Sequence, residues 1–356
     1  MSTQRRIYQG KAVYVGPTGV SSSGLIKQLH RVQSANHNFN ITRTDVNQFG
    51  QLAAVSREII EQPKVGLDIS YLSVDATNEH NLGFVTDGSE SAIANMMTGN
   101  ASNSYYIAYA PEGTDAIGAT GDAKFRNAAV GNGFISQYAA QGAVGGLPSV
   151  SVTIEAMNVA SNPNVTGLVP TIDPTNGIAN ATLTYALPTA VSGVAGQVST
   201  LRPGDITVTI TSSNSVVGIG ADINDAKIQS YNISYALTRE NLSKLGTRFS
   251  YARPIKFPAT ASCAIKAIVG DLVGGTSLAA ILCDDATYDI SVSIKEPSCD
   301  GNGQVAIIYS LDGAKLDTQG LNESIGPNDE VDLNFSAQIG GPNDVTHGVF
   351  ISGLVR

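Results

Sequence analysis

Four histidines, His30, His37, His80 and His347, are the first residues to weigh as metal ligands or general bases. His30 and His37 stand seven apart in a stretch that reads as a strand. That spacing puts them on opposite faces and keeps them from sharing an ion. The acidic loops Asp284-Asp285 and Asn328 to Asp332 miss the oxygen spacing of a dedicated calcium loop and read as solvated turns. Gly10-Lys11 lacks the glycine spacing and the following Ser/Thr of a phosphate loop, and Gly218-Ile-Gly220 lacks a third glycine. No Gly-x-Ser-x-Gly elbow occurs. With no nucleophile, base or ligand set assembled, neither enzymatic activity nor a cofactor or metal is expected. The remaining chemistry lies in four arginines, Arg43, Arg57, Arg239 and Arg253. As planar bidentate donors they suit carboxylates on a neighbouring subunit. An intradomain salt bridge or a helix-end contact is the equal alternative. They are candidate interface or structural residues.

The arginines lead to a repeat. Residues 32–60, VQSANHNFNITRTDVNQFGQLAAVSREII, return at 228–256 as IQSYNISYALTRENLSKLGTRFSYARPIK, superimposed without a gap by a shift of 196. Eight of the 29 positions are identical: Gln33/Gln229, Ser34/Ser230, Asn36/Asn232, Thr42/Thr238, Arg43/Arg239, Gly50/Gly246, Arg57/Arg253 and Ile59/Ile255. Unrelated windows would share roughly one or two. Fainter likenesses join Tyr106 to Glu112 with Asp289 to Pro297, and Pro148 to Ala156 with Asn328 to Ala337. The expectation is two copies of one domain, at residues 1–160 and 205–356, with a Pro/Gly/Asn/Thr-rich connector at 161–204. A hairpin at Ala181–Ala186 is expected within the connector.

Charged residues make up only 14 % of the 356, and 37 are glycine. Such a surface suits a protein that buries much of itself against neighbours. The net charge of −9, with no basic run beyond Arg5-Arg6, argues against tight binding to nucleic acid. MSTQRRIYQG has no apolar stretch and does not read as a signal peptide. The densest apolar run, Ser277 to Cys283, is too short to cross a bilayer. The Asn-x-Ser/Thr sequons, seven from Asn40 to Asn322 and an eighth at Asn334, would matter only in a secretory protein. Cys263, Cys283 and Cys299 are odd in number and confined to the second half, which argues for free thiols.

Residues 11–16, 30–42, 52–60, 65–74, 104–110, 133–138 and 149–157 read as strands. The segment 65–74 alternates most strictly. Arg43 to Gly50 is expected to form at most a turn or two of helix, stopped by Gly50. Asp87 to Met97 carries a helix signal, with Ser89 as cap and Ile93, Met96 and Met97 on one face. Thr276 to Leu282 is its counterpart. The fold class is mainly β: two tandem related antiparallel sandwich or barrel domains, each with one short helix.

The runs Arg6 to Pro17, Gln28 to Ser34 and Asp45 to Gln51 resemble those of major tail tube proteins of tailed bacteriophages. So do Phe134-Ile-Ser-Gln-Tyr138 and Ala143 to Asn158, and in the second half Ile228 to Asn232, Leu237 to Glu240 and Leu245-Gly246. The resemblance covers both copies and leaves the connector unmatched. It implies a domain of two packed sheets and a helix, whose inner sheets join those of neighbours into a barrel lining a lumen. It further implies stacked rings that form the genome conduit of a virion tail, after synthesis in the host cytoplasm. Expected partners are other copies of the chain and the terminator, tape-measure and baseplate or tip proteins, with genomic DNA passing through unbound and no membrane insertion. Duplication departs from single-domain members that form hexamers, and implies trimeric rings. Two other classes remain open: a sheath, baseplate or decoration protein, and a carbohydrate-binding or hydrolytic β-protein. The absence of Trp disfavours the sugar-binding class.

Overall fold

The computed structural model describes residues 10–97, 101–116, 125–173, 177–191, 200–213, 227–268, 286–298, 303–322 and 330–356. In the first half the strands are β1 (Lys11–Pro17), β2 (Lys27–Leu29), β3 (Val32–Asn40), β4 (Thr44–Val46), β5 (Ser56–Glu58) and β6 (Lys64–Leu72). Helix α1 (Thr77–Leu82) precedes β7 (Asn103–Tyr109), β8 (Arg126–Ala143), β9 (Ser149–Ala156) and β10 (Asn158–Pro163). The connector contributes β11 (Thr166–Leu168), β12 (Ile172–Asp173), β13 (Ile178–Ala179) and β14 (Thr184–Ala186). The second half holds β15 (Ile206–Ser212), β16 (Lys227–Ala236), β17 (Ala259–Ile268), β18 (Tyr288–Lys295), β19 (Val305–Asn322), β20 (Glu330–Ile339) and β21 (Gly348–Gly353).

All described pairings are antiparallel, and the chain is mainly β. One sheet has the order β3-β6-β9-β8 in the first half and β16-β17-β20-β19 in the second. Alternation explains these strands: Val65, Leu67, Ile69 and Tyr71 of β6 are buried while Lys64 and Asp68 are exposed. The 18-residue strands β8 and β19 serve two sheets each. Residues 126–133 of β8 pair with β7, and 134–141 pair with β9. Likewise β19 pairs with β18 over 305–314 and with β20 over 315–322. Gly133 marks the change of sheet in β8, where a Cβ would lie 2.7 Å from the Tyr105 ring.

The pairing recurs in register as well as in order. Asn36 faces Asp68 in β3·β6, and at a shift of 196 Asn232 faces Ala264 in β16·β17. Both pairs carry a bulge at the same place, at Gln33 and Gln229. Their side-chain amides donate to the carbonyls of Arg31 and Lys227 respectively, each at 3.0 Å. One apolar cluster, including Tyr71, Tyr138, Ile233, Tyr309 and Phe335, runs through both halves. The core therefore crosses the boundary between the halves without a break.

Several expectations need correction. Asp87 to Met97 is no α-helix and forms only a 3-10 turn at Ala94–Met96. Asp87 Oδ1 accepts from the Ser89 N–H and hydroxyl, and the Ala92 N–H donates to the Val349 carbonyl of β21. Donors that a helix would need are thus engaged by a local turn and by the C-terminal strand. Among the described residues the α-helix is the six-residue Thr77–Leu82, which starts ten positions before Asp87 and is stopped by Gly83 at φ +99°. Residues 43–60 form neither a helical turn nor a long strand; they make the short hairpin β4·β5. The hairpin placed at Ala181–Ala186 is a pairing of β14 with the more distant β11. Among the described residues of the connector, Val169, Tyr185, Leu187 and Ala190 pack on Tyr14 and Tyr106 of β1 and β7. The expected helix at Thr276 to Leu282, together with Cys283, Cys299, Asp284-Asp285 and Gly218-Ile-Gly220, lies outside the described residues. Cys263 is a free, buried thiol.

Candidate functional site: the sheet edges and their hairpins

The two halves meet strand to strand. Residues 137–143 of β8 pair with 230–236 of β16, Ala143 opposite Ser230 and Gln137 opposite Ala236. The Val144 and Leu237 N–H groups extend the ladder, donating to the Gln229 and Ser136 carbonyls at 2.9 and 2.7 Å. Gly142 is required here, because a Cβ would approach the Tyr231 ring to 2.6 Å. This junction makes one continuous sheet, β3-β6-β9-β8-β16-β17-β20-β19. Its termini are β3, which pairs only with β6, and the C-terminal part of β19, which pairs only with β20. Each presents an open row of backbone donors and acceptors among the described residues.

The face of this sheet opposite the core is polar: Asn36, Asp68, Ser70, Ser151, Gln141, Asn232, Ser262 and Asn334 alternate with the buried residues. Lys266, one of its few cations, pairs with Glu330 at 3.1 Å and Asp332 at 3.6 Å. These carboxylates hold the Lys266 pKa above its ordinary value, through the Glu330 hydrogen bond first and the Asp332 charge next.

Hairpins follow both β3 and β16 and bring the four arginines into view. After β16, Arg239 bridges to Ile255 and Leu242 to Ala252. At a shift of 196, Val46 faces Ser56 in β4·β5. Gly50 and Gly246 turn the two tips at φ +84° and +88°, conformations that favour glycine. The second hairpin is docked on the first half of the chain. Arg239 donates through Nη1 to the Arg253 carbonyl (2.9 Å), through Nη2 to the Met96 carbonyl (3.3 Å) and through Nε to the Ile135 carbonyl (3.4 Å). The guanidinium groups of Arg239 and Arg253 stand 5.0 and 5.6 Å from the Phe134 ring centroid. Arg253 also donates to the Ser250 hydroxyl, and the Ser250 N–H donates to Gln62 Oε1. Burial lowers the Arg239 pKa to about 10, which leaves it charged at neutral pH, and lowers that of Arg253 as well.

The first hairpin has no such dock. Arg43 is exposed, and Arg57 forms an exposed ion pair with Asp45 at 2.6 Å within its own hairpin. Phe39 is 63 % exposed where its counterpart Tyr235 is 2 %, and Ile59 is 47 % exposed where Ile255 is 5 %. The matched arginines therefore do different work: two clamp one half of the chain to the other, and two remain at the surface. For Arg239 and Arg253 the expected carboxylate partner is replaced by backbone carbonyls and an aromatic face.

Beneath the junction lies a buried polar cluster that the sequence did not single out. Glu79 of α1 accepts on Oε1 from the hydroxyls of Tyr71 (2.8 Å), Tyr138 (3.0 Å) and Tyr309 (3.4 Å). Burial raises its pKa to about 7, with the hydrogen bonds from Tyr71 and Tyr138 acting in the opposite direction. Oε2 has no hydrogen-bond partner among the described residues. Tyr71 and Tyr138 belong to the first half and Tyr309 to the second, so the cluster ties the halves from inside. A lone Glu in TNEHNL gives no sign of this from spacing alone. Phe134 was legible only as part of Phe134 to Tyr138.

His80 Nδ1 lies 3.4 Å from the Thr86 hydroxyl, and His347 is engaged with Asp344 and Thr346. No group of three or more His, Cys, Asp or Glu that could hold a metal occurs among the described residues. No helix among them is long and apolar enough to cross a membrane. No family model matches the chain, and no curated protein matches it.

Proposed function

We propose that this chain is a structural virion protein, similar to the major tail tube proteins of tailed bacteriophages, and that it polymerises into stacked rings forming a conduit for the genome. The observation that carries the reading is the β8·β16 junction. It makes two halves of matching topology into one sheet with a polar face and two open edges, the form of a ring segment. The matched pairing order, bulges and hairpin glycines support a duplicated domain, with halves at 1–160 and 205–356 around the 161–204 connector. Each chain then supplies two of six pseudo-equivalent segments, and three chains close a ring. A polar face on which Lys266 is neutralised by Glu330 and Asp332 favours the passage of DNA without the phosphate contacts that would hold it. In this reading the chain has no enzymatic activity and no cofactor, and its partners are other copies and the terminator, tape-measure and baseplate or tip proteins of a tail.

Electron microscopy of the purified protein tests this. The expected result is hollow tubes whose reconstruction holds three chains per ring. Six chains per ring, or filaments without a lumen, would contradict it.

A further inference from the structure

We propose that the β3 edge of one chain receives the C-terminal part of β19 of a second copy, in the register that β16 and β8 already adopt within the chain. The inference deepens the tube reading and rests on it for ring closure, while the register rests on the internal junction alone.

The equivalence is fixed by two sets of pairings. Ile135 and Gln137 face Ile154 and Thr153 across a bulge in β8·β9, and Leu316 and Thr318 face Phe335 and Asn334 across the matching bulge in β19·β20. The constant shift there is 181, whereas β3 maps to β16 at 196. Ala139 faces Ser234, so Gly320 of one chain comes to face Asn38 of the next. By the same step Thr318 faces Asn40 and Asn322 faces Asn36. Both edges look like halves of a broken interface. Phe39 is bare where Tyr235 stacks on Tyr138 with ring centroids 5.2 Å apart, and Gln319, the counterpart of fully buried Tyr138, is exposed. A groove floored by Val13 and Val32 beside β3 matches one floored by Val208 and Ile228 beside β16. The second groove has a wall from the other half, Gly142 to Val144, and the first lacks it. The occupant that fits is therefore a second copy of this chain.

The match is incomplete in one respect that sharpens it. Lys315 stands where Phe134 would be, so the ring that holds Arg239 and Arg253 has no counterpart for Arg43 and Arg57. The contact between chains is accordingly weaker than the contact within the chain.

The test uses the full chain with Cys283→Ser and Cys299→Ser, leaving buried Cys263. Asn38→Cys is combined with Gly320→Cys in one protein, and Asn40→Cys with Thr318→Cys in another. A third protein, with Asn36→Cys and Gly320→Cys, is two residues out of register. Disulfide formation is induced with a mild oxidant. Facing cysteines can form that bond, and a pair two residues out of register stands too far apart. The products are read on a non-reducing denaturing gel, with the same samples imaged. The first two proteins should give covalent dimers and trimers, and the third should stay largely monomeric. Tubes without cross-linking in the first two, or stronger cross-linking in the third, would overturn the register and leave the tube reading standing. In-register cross-linking without tubes would uphold the edge pairing and overturn the tube reading. Neither tubes nor cross-links would overturn both.

Discussion

The hairpins after β3 and β16 have the same turn glycine, the same pair of arginines and the same register, yet only the second is docked. Arg239 reaches three backbone carbonyls and shares the Phe134 ring with Arg253, whereas Arg43 and Arg57 lie at the surface. Local sequence thus specifies the hairpin, and what lies opposite decides what its side chains do. For Arg239 the opposite surface is the first half of its own chain. For Arg43 the proposed opposite surface belongs to another chain.

The largest expected effect concerns whether the halves behave as one unit, since Glu79 joins Tyr71 and Tyr138 to Tyr309. Its folded pKa of about 7 lies above the ordinary value of 4.5. Between those values the native state holds a proton that the unfolded chain has lost, so stability falls as pH rises through that window and levels off above it. The fall should be on the order of 3 kcal/mol. Denaturation midpoints from pH 4.5 to 8 would measure it, and Glu79→Gln should remove the part of the fall above about pH 6. The part that remains is contributed by Asp312, whose pKa burial and the Asp289 charge raise to about 6. A single cooperative transition across that range would show that the halves unfold together.

A smaller effect separates the two hairpins directly. Arg239→Ala leaves the Ile135, Met96 and Arg253 carbonyls without their donor, and should cost about 2 kcal/mol in the unassembled chain. Arg43→Ala should change the same chemical-denaturation midpoint by less than about 0.5 kcal/mol. Equal losses from both would break the comparison.

Much of the β framework was legible, because alternation over 65–72 and 149–156 and the return of 32–60 at 228–256 are short-range signals that tertiary contacts reinforce. The helix was misplaced for a physical reason: periodicity in Asp87 to Met97 says nothing of the C-terminal strand that engages Ala92. The arginines were legible as a repeated pair, but their partners were not. Phe134 and the Met96 carbonyl lie more than 100 residues away along the chain and become neighbours only through the β8·β16 junction. Glu79 was invisible for the same reason, since its three tyrosines are gathered from β6, β8 and β19.

Hydrogen exchange in the free and assembled states tests most directly the claim that one edge is filled within the chain and its twin by another chain. Amides of 230–236, held between β8 and β17, should exchange slowly in both states. Amides of 32–40 that point away from β6 should exchange rapidly in the free chain and become protected on assembly. If 32–40 exchanges at the same rate in both states, the β3 edge is not where the chains meet and the account fails.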